Sequence, residues 1–285
     1  MLTALVATLG AVFYGFADFY GGLASRRDAA LIITLAAQAT GLVVLGALAL
    51  IFPPESWQDP LILWGVAAGI LGGTGVLSLY AGLATGRMSV VAPITAALSG
   101  ALPAAVGLST GAPPSWIAMV GMVLALVSVV IVSVFAEEEE VGTPGAGSGR
   151  RALMFAVISG VGFGLSILCW AQTPASTGFA PLVAARATSV TVFSVAALAM
   201  GLRRLVPVRE VMPMALLTGV LDSAANFTQV TALRMGPLAL ASVLGALYPV
   251  ATVLLARFVL HEHLRGWQRV GIVMALVAVV LTAIP

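Results

Sequence analysis

Three side chains carry charge inside stretches that are otherwise apolar: Asp18, Arg186 and Asp222. An ionised group in hydrocarbon costs about 2.5–3.5 kcal/mol on insertion scales, so each of the three needs a partner or a task. Asp222 is followed by Asn226 and Gln229 at i+4 and i+7, which puts three polar groups on one helix face. Lipid does not tolerate such a stripe, so it must face the protein interior or a cavity. Arg186 carries a guanidinium suited to a carboxylate, and Gln38 occupies the matching place earlier in the chain, as shown below. Groups of these types can bind solutes and exchange protons. An intramembrane enzyme would call for paired aspartates, a serine with a base, or His-Glu-x-x-His, and the sequence has none of these. The same residues also read as an internal hydrogen-bonded seam, and both readings stay open at this point.

The remaining candidates are weaker. Tyr14, Trp64, Tyr80, Phe163, Trp170 and Tyr248 are aromatic residues able to line a cavity, although singly each suits a core or an interface belt equally well. Of these, Tyr80, Trp170 and Tyr248 join Arg186, Asp222, Asn226, Gln229 and Gln38 as the substrate-binding set, with Asp222 and Asp18 as coupling residues. Asp18 stands near Arg26 and Arg27, which are expected to neutralise it. His261-Glu262-His263 has the wrong spacing for a zinc hydrolase, because a separation of two residues turns the rings apart. Cys169, the one cysteine, excludes an intrachain disulfide and a thiolate metal cage. No Gly-Lys-Ser/Thr phosphate loop exists, and all thirteen basic residues are arginines, so ATP-driven transport by this chain is excluded on motif grounds. No cofactor or metal is expected.

The elements that position these residues are membrane helices. The chain is 60% hydrophobic and 8% charged, with a mean hydropathy of +1.10, which is outside the range of water-soluble domains. A net charge of +2, thinly dispersed, does not suit nucleic acid. A span needs about 20 mainly apolar residues. Ten are expected, at 2–23, 30–52, 61–84, 88–108, 115–135, 152–172, 179–201, 212–233, 237–258 and 266–284. The first lacks a basic leader and reads as a span, not as a cleaved signal. Between the fifth and sixth lies the one long polar run, Glu137 to Arg151, which reads as a solvated linker.

Shifting the sequence by 150 residues overlays its halves. Residues 120–130 fall on 270–280 with eight of eleven positions identical. Gly69, Leu71, Leu83 and Gly86 fall on Gly219, Leu221, Leu233 and Gly236, and a shift of 148 lays residues 36–40, with Gln38, over 184–188, with Arg186. The chain is read as an internal duplication: a first repeat at 1–136, a linker at 137–151 and a second repeat at 152–285. The counterparts of Asp222, Asn226 and Gln229 are Gly72, Val76 and Leu79, so the polar work is expected to be unequal between the halves. Odd-numbered loops and their flanks hold eleven arginines against one, Arg234, in the even loops. That bias puts the odd loops in the cytoplasm and both termini outside. With five spans per half, the second repeat is inverted relative to the first. The fold class expected is therefore an all-α integral membrane protein of ten transmembrane helices in two inverted five-helix repeats, with a site near the midplane between them.

The segment from Ala232-Leu233 through Gly236-Pro237 to Tyr248-Pro249, then Glu262 and Trp267-Gln268-x-x-Gly271, resembles the ten-helix EamA-type branch of the drug/metabolite transporter superfamily. The first half repeats the pattern as Gly82-Leu83 to Gly86, Val91 to Pro93 and Trp116 to Gly121, but lacks the glutamate expected near Ala112. The resemblance implies a secondary carrier without cofactor in the plasma (inner) membrane, often an exporter of amino acids or other small metabolites. Its partners would be a small-molecule substrate, possible protons for coupling, and lipid, with no nucleic acid; the chain would act as a monomer or weak dimer. The other readings are a drug or cation exporter of the same fold, and a membrane receptor or assembly protein without flux. Arg186 and Asp222 lie at similar expected depth on consecutive antiparallel spans, about 11 Å and 15 Å from opposite faces of a roughly 30 Å core. They are expected to pair when no substrate is present. A substrate carboxylate would then take Arg186 and leave Asp222 to accept a proton. The topology is checked with a cysteine placed in the 137–151 linker: an impermeant thiol reagent should fail to label it in intact cells and label it after lysis.

Overall fold

The computed structural model describes residues 1–84, 88–111, 114–134, 146–202, 205–259 and 266–283. Thr85-Gly86-Arg87, Ala112, Glu137–Glu140 and His261-Glu262-His263 therefore lie outside the described residues. The described residues form eleven α-helices and no strand. They are α1 (Leu2–Ser25), α2 (Ala30–Ile51), α3 (Leu63–Ala84), α4 (Met88–Thr110), α5 (Trp116–Val134), α6 (Ala146–Ala171), α7 (Ala180–Ala199), α8 (Met212–Met235), α9 (Leu238–Gly245), α10 (Tyr248–Val259) and α11 (Gly266–Ala283). Single 3-10 turns precede α3 (Pro60–Ile62) and α7 (Ala175–Thr177).

Two boundaries differ from the sequence reading. Helix α6 starts at Ala146, so the Gly-Ser-Gly-Arg-Arg end of the polar run is helical and not linker. Once a helix is nucleated by the apolar residues that follow, adding residues at its end costs little. The ninth span is broken into α9 and α10 around Ala246-Leu247. Pro249 has no N–H to offer the carbonyl of Gly245, and its ring crowds that carbonyl. The backbone turns tighter instead, with Leu247 N donating to Leu244 O at 3.2 Å and Val250 N donating to Leu247 O at 3.0 Å.

Several helices are long and apolar enough to cross a bilayer: Leu2–Ser25, Ala30–Ile51, Pro60–Ala84, Leu153–Ala171 and Ala180–Ala199, with shorter apolar helices at Ile94–Thr110, Trp116–Ile131, Leu238–Thr252 and Arg269–Thr282. Helix α8 has the length, at 24 residues, but too many polar side chains to qualify on composition. It is held between α1 and α2, where its polar groups are covered.

The packing joins the halves throughout. α1 lies on α8 and α3 on α6; α2 meets both α7 and α8, as α7 meets both α2 and α3; α5 lies along α11. Exchanging the two halves maps this pattern onto itself. Individual contacts follow the same exchange. Gly69 of α3 rests on the Ala185 backbone of α7, and Gly219 of α8 rests on the Ala37 backbone of α2. Gly10 of α1 faces Ala225 and Thr228 of α8, while Gly162 of α6 faces Leu71 and Gly75 of α3. Between helices in lipid there is little hydrophobic driving force, so close backbone approach through small residues supplies the attraction.

Arg234, the exception in the arginine count, ties the α6–α7 connection to the end of α8. Its Nε donates to Thr173 O at 2.9 Å and its Nη2 to Thr177 Oγ1 at 3.1 Å, and its guanidinium lies 5.6 Å from the Phe179 ring centre. Phe179 in turn stacks on Phe227 at 4.6 Å.

A side chain forced into the glycine contacts should separate helices. Gly219→Leu is expected to lower the unfolding temperature in detergent by several degrees, for the 1–3 kcal/mol typical of overpacking, or about that. Gly46→Leu, where a Cβ meets nothing within 4 Å, should leave it within error. Equal losses from both would mean the glycine seams do not determine the packing.

Candidate functional site

The charged residues of the interior converge from three helices. Arg186 of α7 is 6% exposed and donates through Nη2 to Asp222 Oδ2 of α8, forming an ion pair, and through Nη1 to Gln38 Oε1 of α2. Arg186 and Gln38 are 148 positions apart, so the two residues that correspond between the halves touch each other. Gly41, one turn after Gln38, makes room for the guanidinium: a Cβ there would stand 3.0 Å from Arg186 Nε and from Ser223 Oγ. Asn226 fixes the carboxylate, its Nδ2 lying 2.7 Å from the Asp222 backbone oxygen and 3.2 Å from Oδ1. Both carboxylate oxygens of Asp222 are thus held.

Beside this cluster is a cavity whose empty space, open mouth included, is about 770 Å³. Its wall contains Arg186, Asp222, Asn226, Gln229, Trp170, Tyr248 and Asp18 from the sequence-derived set, together with Tyr14 and Phe163. Gln38 stands behind the wall, as the second anchor of Arg186. Tyr80 is not in the wall; it is buried against Gly21 of α1, in a cluster with Ile33, Leu79 and Val91. Trp64 is 41% exposed in the first turn of α3, also away from the cavity.

Gln229 sits at the break in the ninth span. Its Nε2 donates to Ala241 O of α9 at 3.3 Å, and its Oε1 lies close against Gly245 without a hydrogen-bond donor among the described residues. Tyr14 and Tyr248 meet edge to face with ring centres 6.5 Å apart. Asp18 departs from expectation. It makes no hydrogen bond or ion pair among the described residues, and Arg26 and Arg27 are exposed at the end of α1. Eight residues of helix separate Asp18 from Arg26, about 12 Å along the axis. That is too far for the neutralisation expected from sequence proximity.

Three serines of the wall, Ser99, Ser166 and Ser189, were not singled out from the sequence. Serine is common in membrane helices and carries no periodic signal when isolated. Gly72 and Val76, the counterparts of Asp222 and Asn226, also line the cavity. One half supplies the polar groups, and the equivalent face of the other supplies space.

A helical, multi-pass membrane protein with a largely apolar cavity that carries a buried ion pair in its wall is the class this architecture defines. Residues 150–284 match the model of the EamA-like transporter family. The match lies in the second half of the chain and, with the fold, supports an EamA-type family of the drug/metabolite transporter superfamily. A solved crystal structure superposes with a TM-score of 0.76, covering 99% of this chain and 95% of its own, at 14% identity; the likeness concerns the fold. No curated protein matches the sequence. The family is one of membrane transporters and not of enzymes, consistent with a sequence free of catalytic motifs.

Removing one member of a buried ion pair leaves a charge uncompensated, at a cost of about 3–5 kcal/mol. Arg186→Gln and Asp222→Asn should therefore each lower the unfolding temperature, and the double variant should recover much of the loss. Strictly additive losses in a double-mutant cycle would show that the two charges do not interact.

Proposed function

We propose that the protein is a secondary active transporter of a small carboxylate-bearing metabolite, such as an amino acid, and that it works as an exporter by alternating access. The observation carrying this reading is the ion pair of Arg186 and Asp222 in the cavity wall, at the meeting of helices from both halves. The exchange-symmetric packing and the arginine bias support two inverted five-helix repeats, with ten spans, termini outside and odd loops cytoplasmic.

In the empty protein Arg186 is balanced by Asp222. An incoming carboxylate competes for the guanidinium through charge-assisted hydrogen bonds. Asp222, released, keeps Asn226 but loses its cation, and in this scheme it takes up a proton in exchange. Substrate and proton thus load together, and the fully loaded site carries no added charge on this pair. Binding takes up a proton, so affinity rises as pH falls. Because substrate and proton travel together, an inward proton gradient opposes export, and net efflux by this route requires an outward metabolite gradient that exceeds it.

The test is flux in proteoliposomes with radiolabelled amino acids. Wild-type protein should show saturable transport that strengthens toward acidic pH. Asp222→Asn should fold, bind, and transport without that pH dependence. Arg186→Gln should weaken binding of carboxylate substrates by about ten- to a hundredfold, the range of a lost charged hydrogen bond. Variants that transport normally with unchanged pH dependence would reduce the pair to scaffolding. Flux that does not saturate would indicate a channel, and binding without flux a receptor.

A further inference from the structure

The Arg186–Asp222 pair leaves one acidic group in the cavity unaccounted for. Three carboxyl or guanidinium side chains line it, Asp18, Arg186 and Asp222. Arg186 is matched by Asp222, so Asp18 remains as a carboxyl group with no hydrogen bond or ion pair among the described residues, and a ligand cation is what would hold it ionised.

The neutral groups of the wall point the same way. Its serine hydroxyls are spent locally: Ser99 Oγ donates to Ala96 O at 3.0 Å, Ser166 Oγ to Phe163 O at 2.8 Å, and Ser189 Oγ to Gly69 O at 2.8 Å. The Tyr248 hydroxyl, which can donate or accept, is buried without a partner among the described residues, and the rest of the spare capacity is in acceptors. Gln229 Oε1 is buried without a donor. The Gly245 carbonyl also lacks its usual helical donor, because position 249 is proline. Tyr14, one turn before Asp18, and Tyr248 present aromatic surface to the same cavity, and aromatic faces attract cations. A wall with a spare carboxyl group, spare acceptors and aromatic rings suits a ligand group that is positively charged and rich in N–H.

We propose that Asp18 forms a second subsite, which binds the ammonium group of a zwitterionic substrate whose carboxylate is bound by Arg186. The proposal rests on the reading of Arg186 given above and narrows the substrate to amine-bearing acids. The charges then close: the ammonium faces Asp18, the carboxylate faces Arg186, and Asp222 carries its proton. No unmatched charge is left in the filled cavity. The apolar part of the wall, with Phe163, Trp170 and Leu182, suits a substrate with a large apolar or aromatic side chain.

Three probes that share one ring separate the two ends: L-phenylalanine, 3-phenylpropionate (no amine) and 2-phenylethylamine (no carboxylate). Their binding is read as thermal stabilisation of the purified full-length protein, since a ligand bound to the folded state raises its stability in proportion to ln(1 + [L]/Kd). Wild type should bind all three, L-phenylalanine most tightly. Asp18→Asn should weaken 2-phenylethylamine and L-phenylalanine by tenfold or more and leave 3-phenylpropionate within twofold. Without ligand it should melt no lower than wild type, because Asp18 makes no contact that asparagine would lose. The proposal is overturned if wild type does not bind 2-phenylethylamine, if Asp18→Asn binds it unchanged, or if the unliganded variant melts lower, which would make Asp18 structural. Arg186→Gln tests the other end separately: retention of 3-phenylpropionate binding would defeat the carboxylate reading while leaving the amine result to stand or fall by itself.

Discussion

The interior of this protein depends on keeping one guanidinium neutral away from water. Arg186 is buried where a lone charge would be strongly disfavoured, and its surroundings are arranged around that requirement. α8 brings Asp222, α2 brings Gln38, and Gly41 removes the side chain that would keep α2 at a distance. Asn226 then stops the carboxylate from turning away. Three helices from the two halves are committed to positions within hydrogen-bond reach of one side chain. A buried ion pair is weak evidence for stability in itself, since desolvation offsets much of the attraction. Its value here is positional: it holds the polar groups of the cavity at the junction of the halves.

The rest of the packing lets that convergence occur. Glycines at Gly65, Gly69 and Gly219 bring helices into backbone contact, and van der Waals attraction between close backbones is the main force available between apolar helices in lipid. Because the contacts run between halves more than within them, the halves interleave and neither encloses the cavity alone. Each wall is shared, so a displacement of one half against the other changes both the shape of the cavity and the geometry of the ion pair.

The broken ninth span adds a different kind of polarity. At Ala246-Leu247 the backbone leaves the α-helical pattern next to Gln229, Gly245 and Tyr248. Irregular backbone at membrane depth is tolerated where it is buried in protein or lines a cavity, and this break does the latter. Gln229 compensates part of it by donating to Ala241 O. The acceptors that remain give the wall a polarity that side-chain charge alone does not reveal.

Much of this was determined by the sequence alone. Composition requires membrane helices, since so apolar a chain has no water-soluble fold. The 3.6-residue period puts Asp222, Asn226 and Gln229 on one face, and the cost of charge in lipid turns that face inward. The correspondence of Gln38 with Arg186 is also readable, from the overlay of the two halves at a shift of 148 residues. Tertiary structure alone decided which groups are spoken for. Proximity in sequence suggested that Arg26 and Arg27 serve Asp18, but a rigid helix keeps them about 12 Å away along its axis. Tyr80 has the same chemistry as Tyr14 and Tyr248, yet it faces a packed cluster and not the cavity. Whether an aromatic ring or a serine meets a void depends on the rotation and crossing of whole helices. Those are fixed by glycine contacts from the other half, as between Gly69 and Ala185 or Gly162 and Leu71, and no local pattern encodes them.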